Sequence, residues 1–149
     1  MSDTLLSRCL AKNIRMTSQR QIIIQVIEES DDHPDVDQLY LRSVELDNTI
    51  SIATVYRTVK LLEEAGLIER LEFGDGRSRY EEAGEHHEHL VDIETGEVHE
   101  FYNEELETLK TEIAREMGYD LIDNRLELYG KKRKSEPETI SVSAKLRVF

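Results

Sequence analysis

The spacing of apolar positions changes along this chain, and each change marks a different kind of element. From Thr17 to Ala65 apolar residues recur every three or four positions, the rhythm of helices with one buried face. Thr17 precedes "SQRQIIIQVIEES", in which Ile23, Val26 and Ile27 share a helix face. A threonine oxygen accepts hydrogen bonds from the unpaired amides at a helix start, so Thr17 is the expected cap. Pro34 and Asp35 suit a turn and a cap, and Val36, Leu39, Tyr40 and Val44 form the next stripe. Ser51 is the expected cap of a third helix over 52–65, with Gly66 as its stop.

After Gly66 the rhythm shifts toward that of strands. "LIERLEF" and "RSRYEE" flank Gly74-Asp75-Gly76 and read as a β-hairpin. Three helices followed by a hairpin is a winged helix-turn-helix pattern. A second unit follows. "HEHLVDI" and "EVHEF" read as strands joined across Glu94-Thr95-Gly96, and "NEELETLKTEIAREM" reads as a helix closed by Gly118, with Leu106, Leu109 and Ile113 on one face. "YDLIDNRLELYG" is expected to be a strand with Ile122, Leu126 and Leu128 on a common face. The predicted fold is α+β: a winged helix-turn-helix DNA-binding domain over 1–82, a hinge at 83–85, and a small α/β dimerisation and metal-binding domain over 86–149. So small a second unit is expected to cover its remaining apolar surface with a copy of itself. The tail, "KKRKSEPETISVSAKLRVF", is expected to be loose, closed at most by a short strand.

Composition narrows the chemistry. The 149 residues carry a formal net charge of −13. Nucleic-acid affinity comes largely from lysine and arginine neutralising phosphates, so any DNA-binding face here must be a local patch. Neither half has an excess of basic residues. The N-terminus lacks the apolar core of a secretory signal, and no apolar run is long enough to span a membrane, so a cytoplasmic protein is expected. Cys9 is the only cysteine, which excludes an intrachain disulfide and a four-cysteine zinc site.

The charge on the third helix is arranged. At about 100° per residue, Val55, Val59 and Leu62 face inward, Arg57 and Lys60 lie opposite, and Tyr56 sits at the edge. Small Ala53 and Thr54 near the helix start would let a backbone approach DNA closely. Arginine reads guanine bidentately, and threonine and tyrosine pack on thymine methyls. Lys12, Arg15 and Arg20 form a second basic cluster suited to phosphates or a minor groove. The plain alternative is an ordinary solvated helix face.

The densest chemistry is "EHHEHLVDIETGEVHEF", which holds four of the chain's five histidines among carboxylates. Side chains on a strand alternate between faces. His86 and Glu88 therefore fall on one side, His87 and His89 on the other, which allows two metal sites. Imidazole and carboxylate ligands suit first-row divalent ions. Glu81 and Glu100 are near enough in sequence to join. His33 stands alone in the first domain at a helix–helix turn, and would bridge the domains if it joined; His99 reads as structural. The "HExH" here is two residues short of the metalloprotease motif. A metallohydrolase or a metal buffer built on the same cluster are the competing readings; the hydrolase needs an open coordination position and a general base.

The combination of "SIATVYRTVKLLEEAGLI", "GRSRYE", "HHEHLVDIETGEVHEF" and "LELYG" resembles the ferric uptake regulator family, in its iron- and manganese-responsive branch. The resemblance implies a homodimeric repressor that binds palindromic double-stranded operator DNA when loaded with Fe(II) or Mn(II), with Zn(II) able to occupy the site in vitro. It implies no small-molecule substrate and no catalytic residues. By the same resemblance the regulatory ligands are His33, Glu81, His87, His89 and Glu100. A second site would use His86, Glu88 and Glu107, weakened because Asn124 stands where the family usually has a histidine. Tyr56 and Arg57 would read the major groove and Arg15 the minor groove. Many relatives carry a CxxC zinc motif after the histidines; Asp92 and Thr95 occupy those places here, so no structural zinc is expected.

Overall fold

In a computed structural model the described residues are 3–74, 76–84, 86–134 and 146–148. Asp75 of the expected hairpin turn, Glu85 of the expected hinge and residues 135–145 of the tail lie outside them. The chain divides into two compact units, Met1–Gly84 and Glu85–Phe149.

The first unit is a winged helix-turn-helix. Its helices are α1 (Leu5–Ala11), α2 (Ser18–Glu29), α3 (Val36–Leu46) and α4 (Ile52–Glu64), followed by β1 (Ile68–Glu72) and β2 (Ser78–Glu82). The expected caps are present: Thr17 accepts from the Arg20 amide, Asp35 from Gln38 and Ser51 from Thr54. Asp35 forms a reciprocal capping box, because the Gln38 side chain accepts from the Asp35 amide in return. The one element that the apolar rhythm did not reveal is α1. It is only seven residues long, too short for a periodic pattern to register, yet Thr4 and Ser7 form a capping box at its start.

Leu5 and Cys9 of α1, Ile23 and Ile24 of α2, Leu39 of α3, and Val55 and Leu62 of α4 are almost wholly buried in one core. The β1–β2 pair is antiparallel, with Glu69 opposite Glu81 and Arg70 opposite Tyr80. This wing is tied back to the helices by several polar contacts, two of them at the start of α3. The Tyr80 amide donates to the Pro34 carbonyl at 3.0 Å, and Arg77 pairs with Asp35 at 2.6 Å.

The second unit holds β3 (Glu88–Asp92), β4 (Val98–Asn103), α5 (Glu104–Glu116), β5 (Glu127–Gly130) and β6 (Leu146–Val148). Its sheet has the order β5-β3-β4-β6, with β3 parallel to β5 and antiparallel to β4. The short closing strand anticipated for the tail is β6, paired with β4. The strand expected over the whole of "YDLIDNRLELYG" is shorter than its apolar pattern suggested, and begins only at Glu127. Asp120, Asp123 and Asn124 are poor strand formers, and Asp123 turns its carboxylate onto the Asn124 amide instead. Ile122 is therefore off the strand and 92% exposed.

Helix α5 starts at Asn103, whose side chain accepts from the Leu106 amide, and stops at Gly118, whose φ of 92° needs no side-chain accommodation. No residue of α5 is buried within one copy of the chain. Leu109, Ile113 and Met117 are about half exposed or more, as are Tyr119 and Ile122 beyond the helix end.

The β3–β4 corner is built on Asp92 and Thr95, the residues at the places compared above with a CxxC motif. Asp92 Oδ1 accepts from the amides of Glu94 at 2.8 Å and Thr95 at 3.2 Å, and Thr95 Oγ1 accepts from the Glu97 amide. The Gly96 amide closes the turn onto the Asp92 carbonyl, with Gly96 at a φ of 77°. The backbone hydrogen bond from Glu94 holds the Asp92 carboxyl below its ordinary range, against the opposing effect of burial.

Replacing Leu39 by alanine is expected to cost roughly 2–5 kcal/mol in denaturant unfolding, because the cavity lies at the centre of the helical core. Asp92→Asn should melt below wild type at neutral pH. A carboxylate with a depressed native pKa stabilises above its unfolded pKa, about 3.9, and loses that contribution as acid protonates it. The gap between Asp92→Asn and wild type should therefore close as pH falls below that value, measured by thermal melts across the acid range.

Candidate metal centre and nucleic-acid interface

Two histidine–carboxylate groupings lie in the second unit and one in the first. In the first unit, His33 sits in the turn between α2 and α3 with a φ of 55°, in the left-handed region that non-glycine residues seldom occupy. Such a backbone costs of order 1–3 kcal/mol and collects at functional positions. The reason for the local geometry is visible in the neighbouring bonds. Pro34 fixes its own φ and cannot donate, and its carbonyl receives the Tyr80 amide from β2. This brings Glu81, the next residue on β2, beside the turn. His33 Nε2 lies 3.0 Å from Glu81 Oε2, and both side chains are largely withdrawn from solvent.

In the second unit β3 and β4 place His89 directly opposite Glu100. His87 immediately precedes β3; its Nε2 is 3.2 Å from Glu100 Oε1, and its ring stands edge-on to that of His89 with centroids 4.8 Å apart. His89 is buried. His87, His89 and Glu100 thus come together as the strand alternation suggested. His99 is 3.7 Å from Glu97 at the surface and joins neither grouping.

The other grouping uses the opposite face of β3. His86 Nε2 is 2.7 Å from Glu88 Oε1 and 3.3 Å from Glu107 Oε1 of α5. The three side chains offer ligand atoms all within 4.8 Å of one another. A fourth participant was not anticipated. Lys110, one turn along α5 from Glu107, reaches into the same cluster and donates to Glu88, to Glu107 at 2.9 Å and to Asn124 Oδ1 at 2.7 Å. Spacing held the clue: Glu107 and Lys110 at i,i+3 share a helix face. Burial pushes the Glu88 carboxyl up, but hydrogen bonding with Glu107, Lys110 and His86 outweighs it and leaves Glu88 below its ordinary range. Burial likewise pushes Lys110 down, and the hydrogen bonds and charges of Glu88 and Glu107 raise it above its ordinary value.

These donor sets differ in their fit to a divalent ion. His33 with Glu81, and His87 and His89 with Glu100, offer imidazole nitrogens and carboxylate oxygens, a set that first-row divalent ions accept. In the His86–Glu88–Glu107 cluster the oxygens already serve an ammonium.

The α4 surface has the character the helical wheel assigned to it. Val55, Thr58, Val59 and Leu62 are buried, while Tyr56, Arg57 and Lys60 are exposed and Thr54 is half-buried. Arg57 Nη2 donates to Thr54 Oγ1 at 3.2 Å, which steadies the guanidinium along the helix. Arg20 Nη1 donates to the Arg15 carbonyl at 2.7 Å and organises the segment before α2, leaving the Arg15 side chain exposed. Among the described residues no helix is long and apolar enough to cross a membrane.

Comparison with known proteins agrees with this geometry. Residues 11–129 match the model of the Ferric uptake regulator family. A ferric uptake regulation protein of Rhizobium leguminosarum bv. viciae is 55% identical over 137 residues, 91% of this chain and 96% of that protein. One from Brucella suis biovar 1 (strain 1330) is 49% identical over 123 residues, 82% and 87% of the two chains. Among solved structures, a zinc-bound manganese uptake regulator superposes with a TM-score of 0.77 at 55% identity, covering 88% of this chain and 100% of that one. The ferric uptake regulator of Pseudomonas aeruginosa with manganese gives 0.75 at 34% identity, covering 89% and 100%. Helices α2 to α5, the wing and the histidine-bearing strands β3 and β4 lie within the span matched by the family model, and the chain belongs to the ferric uptake regulator family.

Proposed function

We propose that this chain is a metal-dependent transcriptional repressor that grips palindromic operator DNA as a homodimer, in the cytoplasm, and controls genes of metal homeostasis. The observation that carries the reading is the His33–Glu81 pair. A buried imidazole in a costly backbone conformation, 3.0 Å from a carboxylate, is a poor investment for stability alone. It suits a ligand pair.

His33 and Glu81 on the winged-helix unit, with His87, His89 and Glu100 on the second unit, are the ligands of one shared regulatory cation, Fe(II) or Mn(II). A bound divalent cation supplies positive charge that donors from both units share. Ligands divided between two units favour those unit arrangements in which all of them converge. Arg57, Tyr56, Thr54 and Lys60 on α4 enter the major groove, and Arg15 and Arg20 contact the minor groove or phosphates. With the chain's negative charge, this grip depends on placing a local basic face in register with the duplex.

The exposed apolar residues of α5 and the segment after it support a dimer. Leu109, Ile113 and Met117 form a helix face left exposed among the described residues, and a second copy covers it isologously. Family proteins are transcription regulators, which favours this reading over a hydrolase. A metal buffer would bind the ion with no need for an ordered α4 surface.

Adding Mn²⁺ to chelator-stripped protein is expected to tighten operator binding by roughly 5–150-fold, the usual range of such couplings. His33→Ala should lose that dependence, and Arg57→Ala should weaken operator binding with metal present; fluorescence anisotropy with an operator duplex checks both. Metal-independent operator binding by the wild type would end the regulatory reading. Ile113→Glu should shift the protein from dimer to monomer in analytical ultracentrifugation.

A further inference from the structure

We infer that the cation of the second histidine–carboxylate cluster is the chain's own Lys110, and that this cluster takes no metal ion. The family resemblance implies a second metal site at His86, Glu88 and Glu107. The side chains around those residues disagree with that assignment.

The first point is valence. An ammonium has three N–H donors and no acceptor. Lys110 finds three oxygen acceptors, on Glu88, Glu107 and Asn124, so each donor is served. Its half-buried position leaves little need for water.

The second point is charge. Glu88 is 1% exposed, and a carboxylate that far from solvent needs a counter-charge. Lys110 provides one at hydrogen-bonding range, and His86 adds a contact at 2.7 Å. A divalent ion entering the same cluster would meet a like charge and would have to compete for the same carboxylate lone pairs.

The third point is Asn124. As a metal ligand a neutral amide is inferior to imidazole. As an acceptor for an ammonium its carbonyl oxygen is well suited, and it sits 2.7 Å from Lys110 Nζ. Asn124 and Lys110 therefore make chemical sense as a pair. The consequence is that the α5–β3 junction is held by a cation that cannot dissociate. The second unit keeps this tie in metal-starved protein, and metal sensing is left to one site per protomer.

Equilibrium dialysis of the full-length, chelator-stripped protein against Mn²⁺ alone, with bound metal read by mass spectrometry, tests this directly. Glu107→Gln should bind the same number of ions per protomer as wild type. If Glu107→Gln loses one ion, the cluster is a metal site and the inference is wrong. The folded double variant Lys110→Gln/Asn124→His should gain one ion per protomer, and that ion should raise its thermal midpoint. A folded double variant that gains none would show that Lys110 is not what keeps metal out, and would also overturn the inference. The comparison is independent of the regulatory site. A wild type that bound no Mn²⁺ at all would remove Mn(II) from the regulatory reading and leave the Lys110 assignment standing.

Discussion

A carboxylate removed from water must be given a positive or hydrogen-bonding partner, and this constraint shapes both units. The chain carries 32 acidic residues against 19 basic ones, so such partners are scarce and their placement is informative. Glu88 meets Lys110 and His86. Glu81 meets His33, and Glu100 meets His87. Where the partner is a lysine, the charge is compensated permanently. Where it is an imidazole, which is neutral over much of the physiological range, a deficit of positive charge persists that a divalent ion is suited to fill. The same rule distinguishes the cluster around Lys110 from the grouping of His87, His89 and Glu100, although both draw on β3 and the residues just before it.

Much of this was legible in the sequence. The caps at Thr17, Asp35 and Ser51, the hairpin after Gly66 and the inward stripe of Val55, Val59 and Leu62 follow from local chemistry, and local chemistry is what a sequence records directly. Strand alternation also separated His86 and Glu88 from His87 and His89. The failures were of two kinds. Helix α1 was too short for periodicity, and the strand before Glu127 had apolar residues in a segment whose Asp and Asn side chains bind the backbone or Lys110 instead. For Lys110 the sequence showed only the i,i+3 spacing from Glu107; its significance rests on tertiary contacts with Asn124, fourteen residues away, and with Glu88 on another element.

His33 shows how a lone residue acquires meaning from its surroundings. By spacing it has no partner. Its partner arrives because a proline carbonyl in the α2–α3 turn accepts the amide of Tyr80, so the wing strand delivers Glu81 as the neighbouring residue. One backbone hydrogen bond between the turn and the wing thereby joins the element that bears the imidazole to the element that bears the carboxylate. The basic face of α4 is part of the same rigid unit, since α4 and the wing share the core residues Leu62 and Ile68.

The β3–β4 corner carries one more implication. A corner cinched by thiolates around zinc is open to attack by peroxides, which oxidise sulfur and eject the ion. Here the corner is drawn together by the Asp92 carboxylate, and the chain's single thiol, Cys9, is sealed in the helical core. Oxidants therefore find no sulfur at this corner to modify, and its shape is indifferent to the redox state of its surroundings.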